Sequence, residues 1–145
     1  MRWTLAMIII AAACLGAPGA GVAAPPLRTL SQGVNATGSK PEKLVVRTLP
    51  ELQKLGDRIR PAGNANAREI PKVDFSHEMV LAVFLGTRPT AGFKVEIKDV
   101  REAGGKLVVK VEETKPPKDA ILAQVITSPY HVVVVKKSEL PVAWD

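Results

Sequence analysis

Cysteine, histidine and aromatic residues are all scarce in this sequence of 145 residues. The single cysteine, Cys14, lies in an apolar N-terminal stretch, so the rest of the chain has neither a disulfide nor a reactive thiol. The only histidines, His77 and His131, have no cysteine, histidine or carboxylate near them at the spacing of metal ligands. We therefore expect no metal, no cofactor and no catalytic residue, and we predict that the protein is not an enzyme. A small hydrolase or metal site at either histidine is the alternative.

Other chemical motifs are absent as well. No serine lies in a nucleophile-elbow pattern, and no glycine-rich phosphate loop or dinucleotide fingerprint is present. The net charge is +6, but lysine and arginine are scattered among the acidic residues and are not interleaved with aromatics. The sequence thus indicates no nucleic-acid partner, and it leaves the oligomeric state open.

Residues 1–24 have the pattern of a bacterial export signal. Arg2 gives a positive start, Leu5–Leu15 is apolar, and small residues follow. Cleavage within Gly19–Ala24 would remove Cys14, whereas a lipoprotein-type cleavage would leave Cys14 lipid-modified. In both cases we expect a periplasmic, cell-surface or secreted protein that contacts the membrane only through its signal or a lipid anchor.

The sequence predicts one helix in the domain at 44–145, which follows a linker or edge segment at 25–43. Thr48 and Glu51 fit a capping box, and a proline stands in the first helical turn, where its missing N–H does no harm. The apolar residues that follow repeat at helical spacing. We therefore expect a helix at 49–59.

The remaining pattern is that of strands. Met79–Leu85 and Tyr130–Val135 are short apolar runs typical of strands covered on both faces, and 93–112 alternates like an antiparallel hairpin. Ile121–Ile126 fits a further strand. The prediction is an α+β, mostly β fold, an antiparallel sheet or sandwich of about five to seven strands with one helix. The expected core residues are Val80, Val83, Phe84, Val95, Ile97, Leu107, Val109, Val111, Val132 and Val134.

The main functional candidate is the loop that follows the first apolar run. Its residues are Thr87, Arg88, Pro89, Thr90, Ala91, Gly92 and Phe93. Pro89 fixes one φ angle and Gly92 permits a positive φ, which predicts a rigid loop with a low ordering cost of binding. We predict an exposed hairpin tip that binds a partner, with Arg88 pairing with a carboxylate and Phe93 either anchoring the partner or packing inward; the alternative is a plain strand connection. A second predicted tip contains Ser128, Pro129 and Tyr130.

The residues of this region resemble a known family. Val73–Val80, Phe84–Phe93 and Thr127–Val133 are similar in order and spacing to the C-terminal domain of PrcB-type protease-complex subunits. Ala91 and Phe93 stand where that family mostly has glycine and tyrosine. The resemblance implies an exported, non-catalytic protein that binds or stabilises a surface or secreted subtilisin-like protease as an accessory subunit.

A second likeness is limited to the loop. Arg88–Phe93 is similar to the Asn-Pro-Thr-Thr-Gly-Tyr loop that chagasin-like inhibitors insert into cysteine proteases, although Arg88 replaces the asparagine. It implies the alternative function, a protease inhibitor that inserts Arg88–Phe93 into a protease cleft.

Overall fold

A computed structural model describes residues 27–59 and 71–145. The predicted export signal and Cys14 lie outside the described residues. One helix and seven strands occur in the described part. They are β1 (Arg28–Gly33), β2 (Glu42–Val46), α1 (Leu49–Ile59), β3 (Glu78–Phe84), β4 (Lys94–Ala103), β5 (Lys106–Thr114), β6 (Tyr130–Lys136) and β7 (Val142–Trp144).

The strands form two sheets. The first has the order β1-β6-β3-β2, with every neighbouring pair antiparallel. The second has the order β4-β5-β7, in which β4 and β5 are antiparallel and β5 and β7 are parallel. The predicted α+β, mostly β class is therefore confirmed.

The first sheet is covered on both faces, as the two apolar runs predicted. β3 and β6 are its central strands, so their side chains alternate between the second sheet and α1. The buried residues between the two sheets are Met79, Leu81, Val83, Leu85, Val95, Ile97, Val100, Leu107, Val109, Val133 and Val135. The buried residues on the helix side are Val46, Leu52, Leu55, Val80, Ala82, Phe84, Tyr130, Val132 and Val134. All predicted core residues are buried except Val111, which is half-buried against the inter-sheet core.

The N-terminus of α1 is capped by Glu51. Its Oε2 accepts a hydrogen bond from the Arg47 backbone N–H at 3.0 Å, and this bond, together with one from the Thr48 side chain, lowers the pKa of the Glu51 carboxyl. Leu52 and Leu55 are buried against the first sheet. In the described part of the chain, no helix has the length and hydropathy that crossing a membrane requires.

Side chains of the first sheet cap the outer edge of β4. The Gln32 amide donates to the Val95 carbonyl at 3.1 Å, and the Ile97 N–H donates to His131 Nδ1 at 2.8 Å. Because Nδ1 accepts, Nε2 of a neutral His131 ring carries the proton, 3.1 Å from Thr29 Oγ1. Burial lowers the pKa of His131. This edge of the sandwich is therefore closed by a structural histidine.

The predicted strand at Ile121–Ile126 is wrong. The segment is irregular, outside both sheets and largely exposed. One of its backbone bonds links the Ala91 N–H to the Ala123 carbonyl at 3.1 Å. Its uncharged, apolar sequence suits a strand, but a strand also needs a neighbour, and in the described chain this segment lies beside a loop.

Candidate functional site

The loop Thr87–Phe93 joins the two sheets. β3 lies between β6 and β2 in the first sheet, whereas β4 pairs with β5 in the second. The predicted hairpin tip is therefore wrong: β3 and β4 are not hydrogen-bonded neighbours, although they follow each other along the chain. The loop is a crossover at one end of the sandwich.

Two glycines fix the course of this crossover. Gly86, directly after β3 and Leu85, has φ of 72°, and Gly92 has φ of 91°, both in the left-handed region that favours glycine. A Cβ on Gly92 would lie 2.8 Å from Pro116 Cβ. The loop thus packs closely on the segment that follows β5.

Backbone hydrogen bonds anchor the loop to residues 123–127. The Arg88 N–H donates to the Thr127 carbonyl at 2.7 Å, and the Thr127 N–H donates back to the Arg88 carbonyl at 3.0 Å. The Thr127 hydroxyl also donates to the Thr90 carbonyl at 3.0 Å. Together with the bond from Ala91 to Ala123, these contacts hold the two segments as one unit. The loop is rigid in the predicted sense, but it gains this rigidity by packing on a neighbour.

Arg88 is engaged within the protein. Its Nη2 lies 3.3 Å from Glu113 Oε1, and its guanidinium lies 5.6 Å from the centre of the Phe93 ring. The Arg88 guanidinium and the Phe93 ring therefore form a cation–π pair, a geometry that stabilises such contacts. Arg88 thus pairs with a carboxylate of its own chain, on β5, and Phe93 is half-buried.

The outer surface of the loop is small. Thr87, Pro89 and Gly92 are exposed, whereas Arg88, Thr90, Ala91 and Phe93 are half-buried. All seven predicted residues lie together in space because they are consecutive. Three of them present atoms freely to a partner.

The second predicted tip is mostly interior. Pro129 and Tyr130 are buried, and Ser128 is half-buried in an isolated bridge to Asn35. The Tyr130 hydroxyl lies 3.1 Å from Ser31 Oγ, and its ring stacks on Phe84 at a centroid distance of 6.1 Å. Tyr130 is therefore a core residue; the expectation that it forms an exposed contact is corrected, because β6 begins there between two partner strands.

Sequence reasoning missed the most exposed apolar surface in the described chain. Ile121 is fully exposed, Ile126 is 76% exposed and Val125 is 51% exposed. We call Ile121–Ile126 the apolar strip. It lies beside the crossover loop through the bonds at Ala123 and Thr127, and it contains no charged residue. The signal was visible as an uncharged apolar run, but the run was interpreted as a strand.

The histidines form no catalytic constellation with the described residues. His77 Nδ1 lies 2.8 Å from Asp74 Oδ2 in an exposed turn, and this bond lowers the pKa of the Asp74 carboxyl. His131 is buried, and both of its ring nitrogens have partners. No group of three or more His, Cys, Asp or Glu side chains in residues 27–59 and 71–145 could hold a metal ion.

A comparison with protein families gives a match for the second half of the chain. Residues 79–136 match the family model described as PrcB C-terminal. The matched span begins in β3, ends with β6, and contains both the crossover loop and the apolar strip. Neither a curated protein nor a solved structure matches the chain. The resemblance predicted from the sequence is thus confirmed: from β3 to β6, this chain resembles the PrcB C-terminal domain.

Proposed function

We propose that the protein is an exported, non-catalytic binding module that acts as an accessory subunit of a surface or secreted protease. Its binding surface consists of the crossover loop and the apolar strip. The observation that carries the proposal is the exposure of Ile121, Val125 and Ile126 directly beside an anchored loop. Exposed apolar side chains in one segment are typical of protein interaction sites.

The exposed apolar side chains of this surface can contribute to the free energy of binding. Full burial of an exposed isoleucine or valine side chain contributes about 1.5–3 kcal/mol. Three such side chains in the strip could therefore contribute about 5 kcal/mol, before any polar contact is counted. Because the loop is already held by hydrogen bonds to Ala123 and Thr127, little additional ordering is required when a partner binds.

The strip also has backbone groups available for a partner. Among the described residues, no N–H group of Ile121–Ile126 donates to a backbone carbonyl, and the Ala123 carbonyl accepts the bond from Ala91. Backbone N–H groups need an acceptor when they are buried. A protein partner can supply such acceptors along its own backbone, which favours a protein over a small molecule.

The alternative function, an inhibitor that inserts Arg88–Phe93 into a protease cleft, receives less support. Insertion needs a loop that projects, but Arg88 and Ala91 are bonded to the neighbouring segment. A broad surface of loop and strip fits docking on the outside of a protease better than entry into its cleft.

A capture experiment on the native cell envelope tests the proposal. The mature domain is the bait, and Ile126→Lys is the test variant. Leu49→Lys is the matched control, because Leu49 is another exposed apolar residue, 57% accessible, on α1. Ile126→Lys should weaken binding by at least tenfold, since it removes about 1.5 kcal/mol of apolar contact and adds a charge.

The expected result is a protease, identified by mass spectrometry, that is captured by the unmodified domain and by Leu49→Lys but not by Ile126→Lys. Equal capture by both variants, or capture of no protease, contradicts the proposal. Titration against papain-like and subtilisin-like proteases separates the alternative: stoichiometric loss of their activity, removed by changing Pro89 but not Ile126, would establish an inhibitor.

A further inference from the structure

The apolar strip continues the central strand β6 beyond the first sheet. The chain makes no turn or bend from Ile121 to Ile126, and it runs on through Thr127–Pro129 into β6. The crossover loop follows β3, the antiparallel neighbour of β6, and it stays beside the strip. The strip is therefore an extended segment that has the loop along one of its two edges.

The odd-numbered residues of this segment face the crossover loop. Thr127 exchanges both of its backbone hydrogen bonds with Arg88, at 2.7 Å and 3.0 Å. Four residues earlier, the Ala123 carbonyl accepts the bond from the Ala91 N–H. Backbone groups point alternately to the two edges of an extended chain, so the even-numbered residues face away from the loop.

Ser128 confirms the direction of the second edge. Its N–H donates to the Val34 carbonyl at 2.6 Å, and its carbonyl accepts from the Ala36 N–H at 3.1 Å. The chain that pairs with Ser128 then leaves this edge, because the Thr37 N–H donates to the Arg58 carbonyl at the end of α1. Three residues of the strip point to the same side as Ser128: Leu122, Gln124 and Ile126.

This second edge of the strip is open in the described part of the chain. The backbone N–H and carbonyl groups of Leu122, Gln124 and Ile126 make no hydrogen bond with any described residue. The edge lies inside the sequence, between β5 and β6, and it is continuous with the central sheet. An unpaired edge of this kind is a template for a further strand.

The side chains of the strip determine which segment could pair with it. Ile121 and Val125 are exposed on one face, and Gln124 and Ile126 are exposed on the other. β-Branched side chains of an added strand would pack well against these neighbours. Because the strip has no charged residue, a charge of either sign on that strand would lose water without gaining a counter-charge.

We infer that the partner adds an extended, uncharged segment rich in β-branched residues as a strand along the open edge of the apolar strip. The inference rests on the proposed function, since it specifies how the same surface engages a protein. The segment forms main-chain hydrogen bonds with Gln124 and Ile126. In strand addition, such bonds give affinity, and the side chains on the two faces give specificity.

Fluorescence anisotropy with a defined probe tests the inference without changing the protein. The probe is a labelled heptapeptide of alternating valine and threonine, and its counterpart carries a methyl group on every amide nitrogen. The two peptides have the same side chains, but the methylated one cannot donate main-chain hydrogen bonds. The unmodified peptide should bind the whole protein more tightly by about tenfold or more. Equal affinity of the two peptides, or no binding at millimolar peptide, would overturn the inference.

Two variants of Gln124 separate the backbone from the side chain. Gln124→Pro removes the outward N–H and is compatible with an extended chain, whereas Gln124→Ala keeps the N–H and removes the side-chain amide. Gln124→Pro should weaken peptide binding by about tenfold or more, and Gln124→Ala by less than about twofold. Equal urea midpoints of the two variants would show that the proline leaves the fold intact. Equal effects on peptide binding would overturn the inference.

Charged peptides test the chemistry of the occupant. A glutamate or a lysine at the central position of the heptapeptide should each weaken binding by about fivefold, because neither charge meets a counter-charge on the strip. Tighter binding of either charged peptide would contradict an uncharged segment.

The capture experiment described above distinguishes failure of this inference from failure of the proposed function. A protease that is lost with Ile126→Lys but fully captured by Gln124→Pro would support the proposed function and overturn strand addition. Peptide binding that Gln124→Pro abolishes, without capture of any protease, would do the reverse. Analytical ultracentrifugation tests a second copy as the occupant: a dimer that Gln124→Pro dissociates would overturn a separate partner at this edge.

Discussion

Alanine at Gly86 should destabilise the protein far more than alanine at Gly105. Both glycines have φ of 72°, so the backbone cost of placing alanine there is the same, about 1–2 kcal/mol. The surroundings differ. A Cβ on Gly105 meets nothing within 4 Å, whereas a Cβ on Gly86 would lie 2.7 Å from the Ser39 carbonyl oxygen and 2.8 Å from two backbone atoms of Lys40 and Pro41.

The difference between the two variants therefore measures the contact between the start of the crossover loop and the backbone that leads into β2. Backbone atoms cannot move aside as the end of a flexible side chain can, and overpacking typically costs about 1–3 kcal/mol. We expect Gly86→Ala to lose about 2 kcal/mol more than Gly105→Ala. The effect of alanine on the unfolded chain is similar in both variants and cancels.

Urea denaturation followed by circular dichroism gives both free energies of unfolding. The slope with urea must stay the same in the two variants for the comparison to be valid. Equal loss of stability in Gly86→Ala and Gly105→Ala would refute the reasoning, because it would mean that the backbone at residues 39–41 yields freely.

Two further predictions concern single polar groups. Burial lowers the pKa of His131, so the stability that the neutral ring contributes is fully present above about pH 6.5 and should be lost as the pH falls below that value, by at most about 1.4 kcal/mol per pH unit. Urea denaturation between pH 7.5 and 5, above the range in which ordinary carboxyl groups titrate, should show this loss of stability. A constant free energy of unfolding across that range would contradict the prediction. Tyr130→Phe removes the hydrogen bond of 3.1 Å to Ser31 but keeps the ring on Phe84, and should cost about 1 kcal/mol in the same assay, whereas an unchanged midpoint would show that the bond contributes nothing.

The secondary structure of this protein could be predicted from the sequence wherever capping residues and apolar patterns lay within the element itself. α1 has a capping residue, a proline in its first turn and an apolar face, and it was predicted with its observed bounds. The two apolar runs correctly indicated central strands, because a strand without polar positions must be covered on both faces.

The errors arose where a strand's neighbour had to be known. Neither the apolar run of β3 nor the alternation along β4 says that the two strands enter different sheets, so a crossover was interpreted as a hairpin tip. Tyr130 was correctly predicted to begin a buried strand, but it was also expected to be a contact residue of an exposed tip, and it is buried. The strip at Ile121–Ile126 has the composition of a strand, but among the described residues it bonds to a loop and not to a neighbouring strand. Composition alone does not say whether a neighbouring strand is present.

The order of the first sheet has a consequence for how the chain folds. β4 and β5 are joined by a tight turn and can pair early, but β3 must wait for β6, which follows them in the chain. Pairing between distant segments is slow, since the loop between them must be closed first. We expect the β4–β5 hairpin to form before the central sheet closes. A chain that ends before Tyr130 would leave one side of β3 without a strand, and its apolar faces would be exposed to aggregation.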